Sequence, residues 1–194
     1  MNTALARPRL ESAVLVAIDV QVGFVKDSSR HVVPVIADLM RAWQAAGGAT
    51  VVATFTNPPG SQYEMISGWT KLRTPEEQAL APELALIADA ASERITKTTS
   101  SFFKVPGVLD TFRARGWTDV VLVGIDTDSC VHDSATDAYQ YGITPWLVTD
   151  ACASSGGSEY HQAALLLAAR NFGPRLLLTS SDVHRMLLNQ EGHQ

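Results

Sequence analysis

The sequence predicts an α/β fold: a three-layer α/β/α sandwich around a mainly parallel, about six-stranded, Rossmann-like sheet. Three observations predict it. The apolar runs AVLVAIDV (Ala13–Val20) and VVLV (Val120–Val123) are continuous rather than alternating, as in strands covered on both faces. Helical spacings lie between most of the strand-like runs, which is the βαβ pattern. The chain has 194 residues, 46% of them hydrophobic, enough for one sizeable core, and reads as a single domain over residues 11–190.

The elements follow in order. Ala13–Val20 is the first strand, with Asp19 at its C-terminal end. A helix is expected from about Val33 to Ala46, ended by Gly47-Gly48. Ala49–Phe55 is the second strand. The long connection from Asn57 to Gln78 is broken by Pro58, Pro59, Gly60 and Gly68; Tyr63, Met65 and Trp69 in it either line a pocket or pack the loop on itself. Leu80–Leu86 reads as a short helical or extended piece, and Arg94–Thr98 as a strand ending near Lys97. Gly107–Arg115 is an amphipathic helix, with Val108, Leu109 and Phe112 on one face and Gly116 closing it. The strand at Val120 turns sharply at Gly124, and a helix with Val131, Ala135 and Ala138 on one face runs through Tyr139. Thr144–Val148 is a strand leading into the polar turn TDACASSGGS. Glu159–Asn171 is a helix with Ala163, Leu166, Leu167 and Arg170 spaced to face the sheet. Arg175–Leu178 is the last strand and Asp182–Leu188 the closing helix.

Composition narrows the function. A formal net charge of −5 and an isoelectric point near 5.5 argue against nucleic acid as a partner. No apolar run reaches membrane-spanning length, so no membrane partner is expected. MNTALARPRLES lacks the apolar centre of a signal peptide, so the cytoplasm is expected, with Cys130 and Cys152 as free thiols. There is no CxxC or HExxH pattern. The first ten residues or so and the EGHQ tail are expected to be loose.

Asp19, Lys97 and Cys130 all fall at C-terminal ends of strands, the edge where such folds build sites. Cys130 opens a helical stretch, where free amide N–H groups and the helix dipole favour a thiolate and can hold an oxyanion. Its other reading is a small buried hydrophobe at a packed turn. Asp19 is otherwise a cap, and Lys97 otherwise a snorkelling surface residue. If the three converge, Asp19 takes the thiol proton, and Lys97 stabilises the thiolate and keeps Asp19 ionised. His132 is a weaker partner for Cys130, because adjacent side chains on a helix face apart. His161 reads as a cap or interface residue, Asp128 as a cap before the cysteine, and Cys152 as core.

Four stretches in order resemble the isochorismatase-like cysteine hydrolase superfamily, over about Ala13 to Leu188: AIDVQVGF, ITKTTSSFF, VGIDTDSCVHDSATDA and VTDACASS. That group includes nicotinamidases, N-carbamoylsarcosine amidohydrolases, ureidoacrylate and biuret hydrolases, and isochorismatases. The resemblance implies that Cys130 attacks a carbonyl, with Asp19 and Lys97 handling proton and charge, and that water then cleaves a thioester. It implies a cis peptide at Ile125-Asp126, aiming the N–H of Asp126 with that of Cys130 at the oxyanion. It implies Phe24 and Trp69 as stacking residues for a planar small-molecule substrate, and a homo-oligomer, dimer or tetramer.

Departures from the family pattern shape the expectation. Nicotinamidases carry an Asp-x-His and a later His that bind a metal; this chain has TNPPGS there, no histidine between His31 and His132, and Leu72 close to the later position. No metal and no organic cofactor are therefore expected. True isochorismatases cleave a vinyl ether, and some lack the cysteine; Cys130 favours a small amide, carbamoyl or related C–N bond instead. Asp126 stands where small or apolar residues are common; its carboxylate either faces the pocket, favouring a substrate amine or amide donor, or bonds to the turn's own amides. The other readings are a non-catalytic small-molecule binding or interaction domain on the same fold and a thiol redox role for Cys130.

Overall fold

β1 (Ala13–Ile18) runs through the middle of a six-stranded sheet, and all six of its residues are buried. The computed structural model describes residues 7–191. The other strands are β2 (Ala49–Phe55), β3 (Glu93–Lys97), β4 (Asp119–Ile125), β5 (Thr144–Ala153) and β6 (Leu177–Leu178). Their order is β3-β2-β1-β4-β5-β6, and every neighbouring pair is parallel. The chain winds outward from β1 to β3, returns to place β4 beside β1, and winds outward again. The C-terminal ends of β1 and β4 therefore flank the point where winding reverses, the crevice in which open α/β sheets bind ligands.

Alternation along β1 divides the core. Ala13, Leu15 and Ala17 face one layer with α1 (Val32–Ala45), α4 (Pro82–Ala88) and α8 (Ser180–Glu191); Val14, Val16 and Ile18 face the other, with α5 (Val108–Arg115), α6 (His132–Gln140) and α7 (Ser158–Asn171). The mainly parallel sandwich expected from sequence is the fold observed.

Several local expectations change. The Asn57–Gln78 connection contains two short helices, α2 (Gln62–Ser67) and α3 (Pro75–Gln78), each capped by a hydroxyl, of Ser61 and Thr74. Gly124 lies inside β4 and is not the turn; a Cβ there would sit 2.1 Å from the Ile18 carbonyl oxygen, so only glycine lets β1 and β4 approach. The first part of the TDACASSGGS stretch is strand, because β5 continues to Ala153 past a register shift between Leu122 and Gly124. The sheet-facing residues of α7 are Ala164 and Ala168, whereas Leu166 is 73% exposed and Leu167 50%. Small residues let α7 lie close to its neighbours, so the bulkier stripe points outward. β6 is only two residues, preceded by a 3₁₀ turn over Pro174–Leu176. Residues 1–6 and 192–194, most of the expected loose ends, lie outside the described residues. No helix among the described residues is long and apolar enough to cross a membrane.

Candidate active site

Asp19, Lys97 and Cys130 come together at the winding reversal. Asp19 follows β1 in a left-handed conformation, φ 52°, uncommon for a residue with a side chain but least so for Asp and Asn. Its N–H donates to the Ala53 carbonyl at 2.9 Å and its carbonyl accepts from the Gln21 N–H at 2.7 Å. Lys97 ends β3, two strands away, and its side chain crosses the end of β2, with Nζ 4.9 Å from the Phe55 ring centre. Nζ donates to Asp19 Oδ2 at 2.6 Å and to the Thr99 carbonyl at 3.1 Å. Asp19 Oδ1 is buried without a hydrogen-bond partner among the described residues, and the Cys130 thiol is close enough to shift the titration of both Asp19 and Lys97.

The electrostatics correct one expectation. Burial pushes the Asp19 carboxyl up, opposed by Lys97 and by the Cys130 thiol. Burial works against the Lys97 charge, yet Asp19 and Cys130 together hold its pKa above the ordinary lysine value. The Cys130 thiol is pushed well above its usual value, first by burial and then by the Asp19 charge, with Lys97 opposing. The cysteine therefore rests as a thiol at neutral pH, not as the thiolate its place near a helix start suggests. The raised carboxyl beside it is a correspondingly stronger base.

The cysteine turn is π-helical over Thr127–Val131 and leads directly into α6. The Ile125-Asp126 peptide is cis. The Asp126 carbonyl accepts from the N–H of Ser129 at 3.2 Å and of Val131 at 3.1 Å, skipping the Cys130 N–H between them. The Cys130 carbonyl accepts from Ser134 Oγ at 2.6 Å, and that hydroxyl accepts from the Phe102 N–H at 3.2 Å, tying the turn to the segment after β3. Thr127 Oγ1 lies 2.8 Å from His161 Nδ1 on α7. Both Asp126 oxygens are taken from across the turn, by the Ser155 N–H at 2.5 Å and Ser155 Oγ at 2.9 Å. Asp126 also lines the cavity, and its carboxylate bonds to Ser155 rather than to the turn's own amides.

Above the three residues opens a cavity of about 350 Å³, with Cys130 in its wall. Phe24 and Trp69 stand near-parallel along it, 18° apart with ring centres at 6.1 Å, and Phe55 and Tyr63 extend the aromatic face. The long connection is held in place to present them. Asn57 Nδ2 donates to the carbonyls of Trp69 and Lys71, both at 3.0 Å, and Arg73 pairs with Glu64 at 2.7 Å. Gln21 stitches the loop after β1 to the end of β2, donating to the Phe55 carbonyl at 3.0 Å and accepting from its N–H at 2.7 Å. Phe55, Ser134 and Ser155 were not singled out from sequence. Only Phe55 carried a usable signal, as the last residue of a strand ending at the site edge.

The remaining candidates sit elsewhere. His132 packs against Phe172, ring centres 5.8 Å apart. Asp128 is exposed. Cys152 is buried in β5, its thiol pushed up to about 12 by burial. Both cysteines are free. Among the described residues no group of three or more His, Cys, Asp or Glu side chains is placed to hold a metal ion, and Leu72 is fully buried.

The chain is 30% identical over 181 residues to a protein of Pseudomonas chlororaphis named as a probable isochorismatase, covering 89% of this chain and 85% of that one. It is 24% identical over 188 residues to nicotinamidase 3 of Arabidopsis thaliana, covering 93% and 91%. Its fold matches that of N-carbamoylsarcosine amidase from Thermoplasma acidophilum with a TM-score of 0.74 at 21% identity, over 87% of this chain and 96% of that one. The isochorismatase domain family matches residues 13–179, and the chain belongs to this family of hydrolases.

Proposed function

We propose that the protein is a cysteine amidohydrolase acting on a small amide, carbamoyl or related C–N bond. The observation that carries the reading is the meeting of Cys130, Asp19 and Lys97 beside one aromatic-walled cavity. Asp19 removes the Cys130 proton as sulfur attacks the carbonyl carbon. The oxyanion is received by the N–H groups of Asp126 and Cys130. Asp19 returns the proton to the leaving nitrogen, the C–N bond breaks, and a thioester remains on Cys130. Water, deprotonated by Asp19, then cleaves the thioester and releases the acid and the thiol. Lys97 stays cationic throughout and balances the charge passed between carboxylate and sulfur. The nicotinamidase relative supports a C–N bond as the target.

A second reading has its own support, from the relative named as a probable isochorismatase. A vinyl ether can be cleaved by protonation, with Asp19 as acid and no use of the thiol. Wild type and Cys130→Ala, each assayed with a panel of small amides and with an aryl vinyl ether, separate the two. The amidohydrolase reading predicts ammonia or amine release that falls at least about a thousandfold in Cys130→Ala. Vinyl ether cleavage that survives the substitution, with no amide turned over by wild type, favours the second.

The proposal includes a homo-oligomer in the cytoplasm. Two free thiols fit a reducing compartment, and the exposed Leu166 and Leu167 on α7 offer an apolar face to a second copy.

A further inference from the structure

Lysine is scarce in this chain and unevenly placed. There are four, Lys26, Lys71, Lys97 and Lys104, in a protein of formal net charge −5. Lys104 pairs with Asp137 at 3.1 Å, away from the cavity. The other three gather at one place: Lys97 is buried beside Cys130, and Lys26 and Lys71 are exposed residues lining the same cavity. Among the described residues, neither Lys26 nor Lys71 forms an ion pair.

Both are mounted on fixed backbone. The Lys26 N–H donates to Ser29 Oγ at 2.9 Å, and its carbonyl accepts from the N–H of Ser29 and Arg30 at 3.0 and 2.7 Å. The Lys71 carbonyl accepts from Asn57 Nδ2. The two loops are joined by the Val22 N–H to the Ala79 carbonyl at 2.8 Å and the Gly23 N–H to the Glu77 carbonyl at 2.9 Å. A Cβ on Gly23 would meet that Glu77 oxygen at 2.9 Å, so the loops pack without space for a side chain there.

The acids of the cavity wall bond to the protein, Glu77 through one oxygen and Asp126 through both. Glu77 Oε2 accepts from the N–H of Arg73 at 2.9 Å and of Thr74 at 3.4 Å. Both oxygens of Asp126 are held by Ser155. The ion pair of Lys97 with Asp19 is internally balanced. What the cavity offers a ligand is therefore a flat aromatic face and two fixed-base ammonium groups, neither in an ion pair, with the Glu77 carboxylate near Lys71 already held by backbone N–H groups.

We infer that the substrate is a flat amide carrying a carboxylate: the planar body lies on Phe24 and Trp69, and the carboxylate is held by Lys26 and Lys71. The inference rests on the amidohydrolase reading only in placing the amide end at Cys130; recognition of the carboxylate stands without turnover.

The test measures binding in Cys130→Ala, so that loss of chemistry and loss of recognition are read apart. Trp69 is the one half-buried tryptophan, Trp43, Trp117 and Trp146 being buried, so quenching of its fluorescence reports the cavity. The probes are 3- and 4-carbamoylbenzoate, with benzamide as the neutral isostere. At least one carbamoylbenzoate is expected to bind about tenfold more tightly than benzamide at low salt, the scale of two exposed ion pairs. The preference should shrink at high salt and fall to within about twofold in Lys26→Gln/Lys71→Gln. Equal binding of benzamide and both acids, no binding of either acid, or a preference that survives the double substitution would overturn it. Failure of the amidohydrolase reading would appear separately, as wild type that binds the acid and releases no ammonia.

Discussion

Asp19 Oδ2 and Lys97 Nζ meet at 2.6 Å with neither side chain exposed, so the pair is both a structural element and the electrostatic frame of the site. Breaking it on one side strands a buried charge. Asp19→Asn or Lys97→Met should each cost about 3–5 kcal/mol in urea unfolding, and the double variant less than their sum. Each single variant should also lower kcat/KM by about 10²–10⁴-fold, because the base or its counter-charge is gone.

The same electrostatics set the pH behaviour of the thiol. Because burial and the Asp19 charge push Cys130 well above 9.0, iodoacetamide should alkylate the free enzyme slowly at neutral pH and faster on the alkaline side. Asp19→Asn removes one of the two raising influences, so its alkylation profile should move to lower pH. A slow reaction at neutral pH is thus compatible with catalysis, since Asp19 takes the proton only as sulfur attacks. A rate already at its plateau at neutral pH would contradict the resting thiol. The acid limb of kcat/KM should lie above the ordinary aspartate value of 3.8, because burial raises Asp19.

Acid should loosen the long connection before the sheet. Arg73 holds Glu64 below its usual value through the ion pair, and the backbone N–H of Arg73 does the same for Glu77. A depressed folded-state pKa contributes stability above the unfolded value and loses it as pH falls through the folded one. Trp69 emission should therefore change as pH drops below 4.5, the ordinary glutamate value, while far-ultraviolet circular dichroism is retained. Arg73→Met should move that change to higher pH.

Gly124→Ala tests the packing that brings Asp19 beside Cys130. The added carbon would meet the Ile18 carbonyl oxygen at 2.1 Å, at φ 135°. A loss of more than about 3 kcal/mol in urea unfolding is expected, since backbone must move on two central strands.

The sheet and the three central residues were legible because continuous apolar runs mark buried parallel strands, and because Asp19, Lys97 and Cys130 each sit at the end of one. Lys97 shows where such reading stops: its strand is two away from β1, and only the reach of its side chain across Phe55 brings it to Asp19. The leucine stripe of α7 turns outward, because spacing shows that residues share a face and not which way that face turns. Asp126 stands out in the sequence, but its partner Ser155 lies 29 positions on, and no local pattern links the two. A helix start alone says nothing of what surrounds Cys130: burial and the neighbouring Asp19 carboxylate both push its thiol up.

The central claim is that Cys130 becomes acylated during turnover. Rapid acid quench of wild type with an amide it hydrolyses, followed by intact-protein mass spectrometry, reads this directly. The account predicts a mass increase equal to the acyl group, mapped to Cys130 and absent from Cys130→Ala. Ammonia release at an undiminished rate from Cys130→Ala, with no adduct on wild type at any quench time, would contradict it.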